Sequence, residues 1–135
     1  MEKKQSHLGM IQGIVNRLSQ NSFLLKGWSV VLVSAMFALA AGNSKEAFVY
    51  MAYFPAAAFW ILDGYFLWQE RLFTALYDHV RKLDEQEIDF AMDTSVVQEG
   101  VAVWLAAVFS RSILMFHGTV LGSIIIVMLL ITFLN

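Results

Sequence analysis

The chain alternates between long uncharged stretches and short charged ones. Two stretches carry no Asp, Glu, Lys or Arg: Gly27 to Ser44, and Ser112 to the C-terminus. A third, from Ala47 to Trp68, is equally apolar but contains Pro55 and Asp63. About 20 apolar residues in a helix cross the ~30 Å hydrocarbon layer of a bilayer with every amide satisfied. The pattern therefore predicts three membrane-spanning helices: residues 23–42, 47–68 and 112–134.

The sequence before the first span predicts an amphipathic helix over residues 6–20. Its apolar side chains recur at helical spacing: Leu8, Ile11, Ile14, Val15 and Leu18. Asn21 and Ser22 offer a break and an N-cap for the first span. The apolar face of this helix suits two surroundings, an anionic membrane surface or the protein's own helices.

After the second span, the helical pattern continues without a stop signal to residue 83. We therefore expect the second span to extend out of the membrane as a stalk. An exposed apolar stalk needs a cover. A neighbouring subunit would supply one, which favours a homo-oligomer, and the N-terminal helix folded back on the stalk is the alternative.

An acidic linker is predicted over residues 84–95. Six acids and no base occur between residues 84 and 99: Asp84, Glu85, Glu87, Asp89, Asp93 and Glu99. They suit a vestibule that attracts cations, a docking site for a basic partner, or a solvated linker. Ser95 and Gln98 form a capping-box pattern that predicts a short helix over residues 96–109, with a strand over 101–105 as the alternative. With the stalk, this helix would form a helical collar.

The distribution of basic residues predicts the orientation. Four precede the uncharged part of the first span, one lies between the first two spans, four lie between the second and third, and none follows the third. The positive-inside rule then places the N-terminus in the cytoplasm and the C-terminus outside. The predicted fold class is an all-α membrane protein with three transmembrane helices, N-in and C-out.

Composition agrees with a membrane protein and excludes several other classes. The 135 residues are 59% hydrophobic and 15% charged, against about 25% charged in an average soluble domain. A net charge of -2 gives no basic surface for duplex nucleic acid. The chain has no Cys, and its three His are far apart in sequence, so we expect no metal site, no cofactor and no enzyme activity.

Three ionisable residues are predicted to lie at one depth. If the first two spans form a hairpin about residues 43–45, Lys26 lies 18 positions before Ser44 and Asp63 lies 19 after it. On the third span, His117 lies six residues in from Arg111. Helices that cross together bring residues at equal distance from the membrane surface to one level. The sequence therefore predicts that Lys26, Asp63 and His117 share a layer near the cytoplasmic side.

This layer has two interpretations, and both stay open at the sequence level. An ionisable residue inside a membrane costs about 2.5–3.5 kcal/mol on insertion scales, so each one requires a reason. In a pore, Asp63 would line a cation pathway, with His117 as a pH-sensitive gate. In a structural role, Asp63 would pair with Lys26 to fix the hairpin register, and His117 would hydrogen-bond across helices.

Small residues predict where helices pack closely. They recur at four-residue spacing on all three spans: Ser34, Ala38 and Gly42 on the first, Ala52 and Ala56 on the second, and Gly118 and Gly122 on the third. Such faces allow close packing within or between subunits. Pro55 deprives the carbonyl of Met51 of its helical donor, which makes it a candidate hinge or the cause of a static bend.

Four segments carry a resemblance to a known group of proteins. They are Asn21–Trp28 (NSFLLKGW), Phe37–Ala40 (FALA), Phe59–Asp63 (FWILD) and Gln69–Phe73 (QERLF). With them the chain resembles small bacterial inner-membrane proteins of anti-phage defence operons, and it is similar to the Hailong-type channel effectors encoded beside a nucleotidyltransferase. The resemblance implies an oligomeric pore in the bacterial inner membrane, gated from the cytoplasmic side by a nucleotide product of that enzyme.

We therefore expect an oligomeric, channel-type membrane effector that disrupts the membrane potential when it opens. The alternative is a non-conducting scaffold or accessory subunit that anchors and regulates a cytoplasmic partner enzyme. A secondary transporter is disfavoured because three spans without an internal repeat lack the paired broken helices of that class.

Overall fold

The computed structural model describes residues 1–43 and 45–134, and every regular element in this part of the chain is helical. Its five α-helices are α1 (Glu2–Asn43), α2 (Ala47–Met51), α3 (Tyr53–Val80), α4 (Trp104–Val108) and α5 (Arg111–Leu134). Three helical stretches are long and apolar enough to cross a membrane: α1, α2 with α3, and α5. The predicted all-α class with three potential spans is confirmed. The turn predicted about residues 43–45 includes Ser44, which lies outside the described residues.

Helix α1 corrects the prediction of two separate N-terminal helices. The amphipathic helix over 6–20 and the span over 23–42 are one helix of 42 residues, about 60 Å long. It continues through Asn21 and Ser22, where a break was expected. Ser22 does not cap a helix, because its hydroxyl donates to Asp63 on α3. Helix α1 packs mainly along α3. This contact keeps α1 helical through Asn21 and Ser22, where the local sequence favours a break.

The second span is interrupted near Pro55. Helix α2 ends at Met51 and α3 begins at Tyr53, with Ala52 between them. Pro55 lies in the first turn of α3, where a residue without an N–H is tolerated. Ala52 keeps helical dihedral angles (φ -65°, ψ -24°), so α2 and α3 together form one potential span of 34 residues, and the hinge at Pro55 stays a prediction. At its other end, α3 stops at Val80, three residues before the predicted end of the stalk.

Two apolar clusters hold the helices together. One lies among the potential spans and contains Val33, Ala40, Val49, Ala52, Ala56 and Ile124. The other lies at the end of the bundle that carries the N-terminus and contains Ile11, Leu76, Val80 and Ile88. In the second cluster the N-terminal part of α1 covers the end of α3. Within one chain the stalk is therefore covered by the N-terminal part of α1, which continues directly into the first span and does not fold back on it.

Residues 81–103, which include the predicted acidic linker over 84–95 and the first part of the short helix predicted over 96–109, contain no α-helix in the described structure. They contain three short 3-10 turns, Glu85–Glu87, Thr94–Val96 and Gln98–Gly100, and the only α-helix in the region predicted as 96–109 is α4. The side chain of Asp93 accepts the Ser95 N–H at 3.0 Å. Because Asp93 caps a turn that begins at Thr94, Ser95 cannot start a helix at residue 96. The alternative strand over 101–105 is also absent from the described residues.

This irregular segment is held against α1. Ile88 packs in the second apolar cluster, and the buried ring of His7 donates its Nε2–H to the carbonyl of Ala91 at 2.8 Å. Between these contacts, Phe90 has a left-handed backbone with φ 58°, which is uncommon for a bulky residue. The segment therefore lies against both α1 and α3.

Helix α4 lies directly on α3. A Cβ atom added to Gly64 would lie 2.5 Å from Val108 Cγ2 and 2.8 Å from Val108 Cα, so only glycine permits this approach. Next to it, the Trp60 indole donates to the carbonyl of Val108 at 2.9 Å. These two contacts fix α4, and with it the start of α5, at the level of Asp63.

Candidate ionic site

The carboxylate of Asp63 is the centre of a buried ionic cluster. Asp63 is fully buried, and its three polar partners come from the two other long helices. From α1, Lys26 Nζ lies 2.6 Å from Oδ2 and the Ser22 hydroxyl donates to Oδ1. From α5, His117 Nε2 lies 2.8 Å from Oδ2. One carboxylate therefore joins α1, α3 and α5 at a single point.

The structure brings together the three residues that were predicted to share a layer. Lys26, Asp63 and His117 come from three separate stretches of sequence and are in direct contact. Ser22 was missed as a member of this cluster because it was assigned to a helix cap. Its spacing to Lys26, four residues on one helix face, was the available signal. Lys26 Nζ donates to Ser22 Oγ at 2.8 Å.

The hydrogen bonds fix the role of the His117 ring. A carboxylate that pairs with an ammonium accepts only, so Nε2 of His117 must donate to it. The other ring nitrogen, Nδ1, is buried and has no partner among the described residues. The ring stacks parallel to Trp60 at a centroid distance of 6.5 Å and meets the edge of Phe116 at 5.0 Å. A neutral ring with its proton on Nε2 satisfies this geometry and leaves the cluster with no net charge.

Lys26 is the accessible member of the cluster. Its side chain is 27% exposed, against 0% for Asp63 and 1% for His117. The ammonium lies 5.9 Å from the centre of the Phe116 ring, within the range of a cation–π contact. It also interacts electrostatically with Glu70, which is half-buried two helical turns from Asp63. The exposed side of the site is therefore the side where Lys26 and Glu70 lie.

An open groove begins beside the site and runs between α1 and α5. Its volume is about 650 Å³, and Phe116 forms part of its wall. Four hydroxyl residues line it: Ser34, Ser112, Thr119 and Ser123. The Thr119 hydroxyl donates to the Met115 carbonyl at 2.6 Å, and that of Ser123 to the Thr119 carbonyl at 2.9 Å. Since their protons are used within the helix, the lone pairs of these oxygens remain free to accept.

Of the predicted small-residue faces, only Ala52 and Ala56 on the second span pack within the described part of the chain, in the first apolar cluster. A Cβ atom added to Gly42, Gly118 or Gly122 would meet no other atom within 4 Å. Ala38 is exposed, and Ser34 lines the open groove. The close contact between helices that does require a glycine is at Gly64, which the sequence analysis did not single out.

The acidic segment uses its carboxylates locally. Glu85 lies 2.6 Å from the N-terminal ammonium and accepts the backbone N–H groups of Lys3 and Lys4 at 2.8 and 3.3 Å. The ammonium and these amides hold the pKa of Glu85 below its usual range. Three further acids accept from backbone amides of their own turns: Glu87, Asp89 and Asp93. Asp84 and Glu99 are exposed.

The described residues contain no group of three His, Asp or Glu side chains that could hold a metal ion. Comparison with protein-family models, curated protein sequences and solved structures finds no match. The function is therefore argued from the geometry of the site.

Proposed function

We propose that the chain is a channel-type membrane effector whose conducting path is held closed by the cluster of Ser22, Lys26, Asp63 and His117. The observation that carries the proposal is the position of this cluster beside Phe116, which lines a mainly apolar groove with four hydroxyl residues between potential spans. In this proposal the chain lies in the bacterial inner membrane, with its N-terminus in the cytoplasm, and several copies assemble around the path.

The ionic cluster supports a gate because it couples all three long helices. Removing one partner of a buried ion pair costs about 3–5 kcal/mol, since the other charge is left unbalanced. Any rearrangement that separates Asp63 from α1 or α5 therefore has to exchange one set of partners for another. Such a site favours two discrete arrangements over a continuous range, which is what a gate requires.

The groove supports a conducting path because its polar atoms are oxygens. Hydroxyl and carboxylate oxygens replace part of the water shell of a cation. One copy of the chain leaves the groove open to the membrane. Gly118 and Gly122 lie on the same helix as the hydroxyl residues and have no neighbour within the chain, so a second copy could approach α5 closely and close the groove.

The resemblance to Hailong-type effectors supplies a trigger for the proposal. In that case a nucleotide product of a neighbouring nucleotidyltransferase would open the channel from the cytoplasmic side. The part of the chain available to sense it comprises the N-terminal half of α1, the end of α3 and residues 81–103.

Ion flux from liposomes tests the proposal. The purified chain is reconstituted with a voltage-sensitive dye, and wild type is compared with Asp63→Asn and with the control Ile126→Leu, an exposed position on α5. We expect Asp63→Asn to raise cation flux above wild type, because the ionic cluster that holds the path closed loses its central charge. Ile126→Leu should match wild type. Equal elution on size exclusion would establish that the variants are folded.

Lack of flux from both wild type and Asp63→Asn would refute conduction. The non-conducting scaffold that anchors a cytoplasmic enzyme would then be the better account. Equal flux from all three proteins would mean that the leak does not pass through this site, and the gate would be refuted.

A further inference from the structure

We infer that Asp63 and Ser22 form a binding site for a monovalent cation of the size of ammonium or K⁺, which the side chain of Lys26 occupies in this structure. The inference deepens the proposed function, on which it rests for its role in conduction, by naming the class of ion. Binding itself is tested below without any measurement of conduction.

The ammonium of Lys26 has the surroundings of a bound cation. It lies 2.6 Å from a carboxylate oxygen of Asp63 and 2.8 Å from the hydroxyl oxygen of Ser22, with the face of the Phe116 ring beyond. An ammonium group and K⁺ are of nearly the same size and charge. Oxygens placed to hold the first are therefore placed to hold the second.

Lys26 is able to leave this position. It is the only one of the three ionisable members with substantial exposure, and its four-carbon stem is flexible. Glu70 lies seven residues after Asp63 on the same face of α3, and its charge interacts with that of Lys26. A second carboxylate on α3 therefore attracts the ammonium when it moves away from Asp63.

The carboxylate that Lys26 leaves behind needs a new counterion. Asp63 is fully buried, and an isolated buried charge is costly. A monovalent cation restores neutrality, whereas a divalent cation would leave an excess positive charge. A further buried hydroxyl lies on the same helix as Ser22 and Lys26. Ser29 lies one turn beyond Lys26 on α1, is fully buried, and has no partner among the described residues.

A proton on His117 is the competing way to neutralise the site. Lys26 and His117 are the titratable groups in contact with Asp63, and Glu70 interacts with it at longer range. Protonation of His117 would place an N–H on Nδ1, which is buried without an acceptor. The ring is also fixed between Trp60 and Phe116. This geometry favours a bound cation over a proton.

The test measures thermal stability of the full chain in detergent at pH 8, in KCl and in N-methyl-D-glucamine chloride at equal ionic strength. N-methyl-D-glucamine is a monovalent cation too large for the site. We expect the Tm of Lys26→Met to be higher in KCl by at least about 3 °C and to saturate with K⁺ concentration. Wild type, in which Lys26 competes with K⁺ for the site, should gain less in KCl than Lys26→Met. The double variant Lys26→Met with Asp63→Asn should melt equally in both salts.

Lys26→Gln is the second variant, because its amide keeps a hydrogen bond to the carboxylate and so favours folding. Equal Tm values in the two salts for both single variants would overturn the inference. Stabilisation by lower pH without dependence on K⁺ would also overturn it, since the counterion would then be a proton.

If neither variant folds, the wild-type chain decides. High KCl should then speed the acylation of Lys26 by a water-soluble amine reagent, and equal rates in the two salts would overturn the inference. Stabilisation by K⁺ in a chain that carries no flux would leave the cation site standing and remove the proposed function.

Discussion

Lys26 and His117 contact the same oxygen atom, Oδ2 of Asp63, at 2.6 and 2.8 Å. The two residues belong to different helices, α1 and α5, and meet only through this carboxylate in α3. Asp63 therefore has two partners that each bear on its charge. When one partner is lost, the other alone stabilises the charge of Asp63. Substituting each partner in turn therefore separates the two contributions.

Replacing His117 tests how much its hydrogen bond stabilises the bundle. His117→Phe keeps a ring beside Trp60 but removes the donor to Asp63, and a hydrogen bond to a charged group is worth about 1.5–3 kcal/mol. His117→Gln retains an N–H donor and should lose less than half of that. The measurement is unfolding in SDS, followed by loss of helical circular dichroism. A larger loss for His117→Gln than for His117→Phe would show that ring packing outweighs the hydrogen bond.

A methyl group at Gly64 should loosen the contact between α3 and α4. The added Cβ would lie 2.5 Å from Val108 Cγ2, and such overpacking costs about 1–3 kcal/mol. The matched control is Gly27→Ala on α1, where the added atom meets nothing within 4 Å. There alanine should stabilise the helix by about 0.5–1 kcal/mol. Both are measured by unfolding in SDS, and a Gly64→Ala chain as stable as wild type would contradict the close approach of α4.

The potential spans and the site were accessible from sequence to different degrees. The spans were predictable because a charge inside a membrane is costly. Charged residues are therefore excluded from long apolar stretches, and the sequence shows this exclusion directly. The shared depth of Lys26, Asp63 and His117 followed from counting along helices that cross together. Their direct contact depends on helix rotation, which a count of residues does not determine.

Local signals failed where tertiary contacts decide the structure. Asn21 and Ser22 are a plausible break by propensity, yet α1 is continuous there because Ser22 contacts Asp63 and α3 supports the helix. The approach of α4 to Gly64 joins residues more than 40 positions apart, and no local pattern marks it. In the same way, Asp93 captures the amide of Ser95 and removes the helix start that Ser95 and Gln98 predicted.

The first turn of α1 should respond to pH through Glu85. The pKa of this carboxyl is lowered by the N-terminal ammonium and by the amides of Lys3 and Lys4. A lowered pKa in the folded state means that the stabilising contact is present above the ordinary value of 4.5 and is lost as the pH falls through the lowered one. We expect the Lys3 amide proton resonance to titrate in that acidic range, measured by NMR in detergent.

Glu85→Gln provides the control for this titration. The variant keeps the shape of the side chain but cannot ionise, so the Lys3 resonance should not move in the acidic range. A resonance that titrates equally in Glu85→Gln would place its cause in another acid of the segment. Because Glu85 is on the surface, the effect should be local and should leave the unfolding of the bundle unchanged.

Gly118 should matter for assembly and not for the fold of one chain. A Cβ atom added at this position meets no atom outside its own helical turns within 4 Å, so Gly118→Leu should leave the stability of the monomer within about 0.5 kcal/mol of wild type. If copies pack through this face, leucine blocks the approach of the neighbouring helix. Light scattering coupled to size exclusion should then report a smaller complex for Gly118→Leu, while the exposed control Ile61→Leu on α3 keeps the wild-type mass. A complex of unchanged mass would exclude this face of α5 from the contact between copies, and the groove would have to be closed from the side of α1.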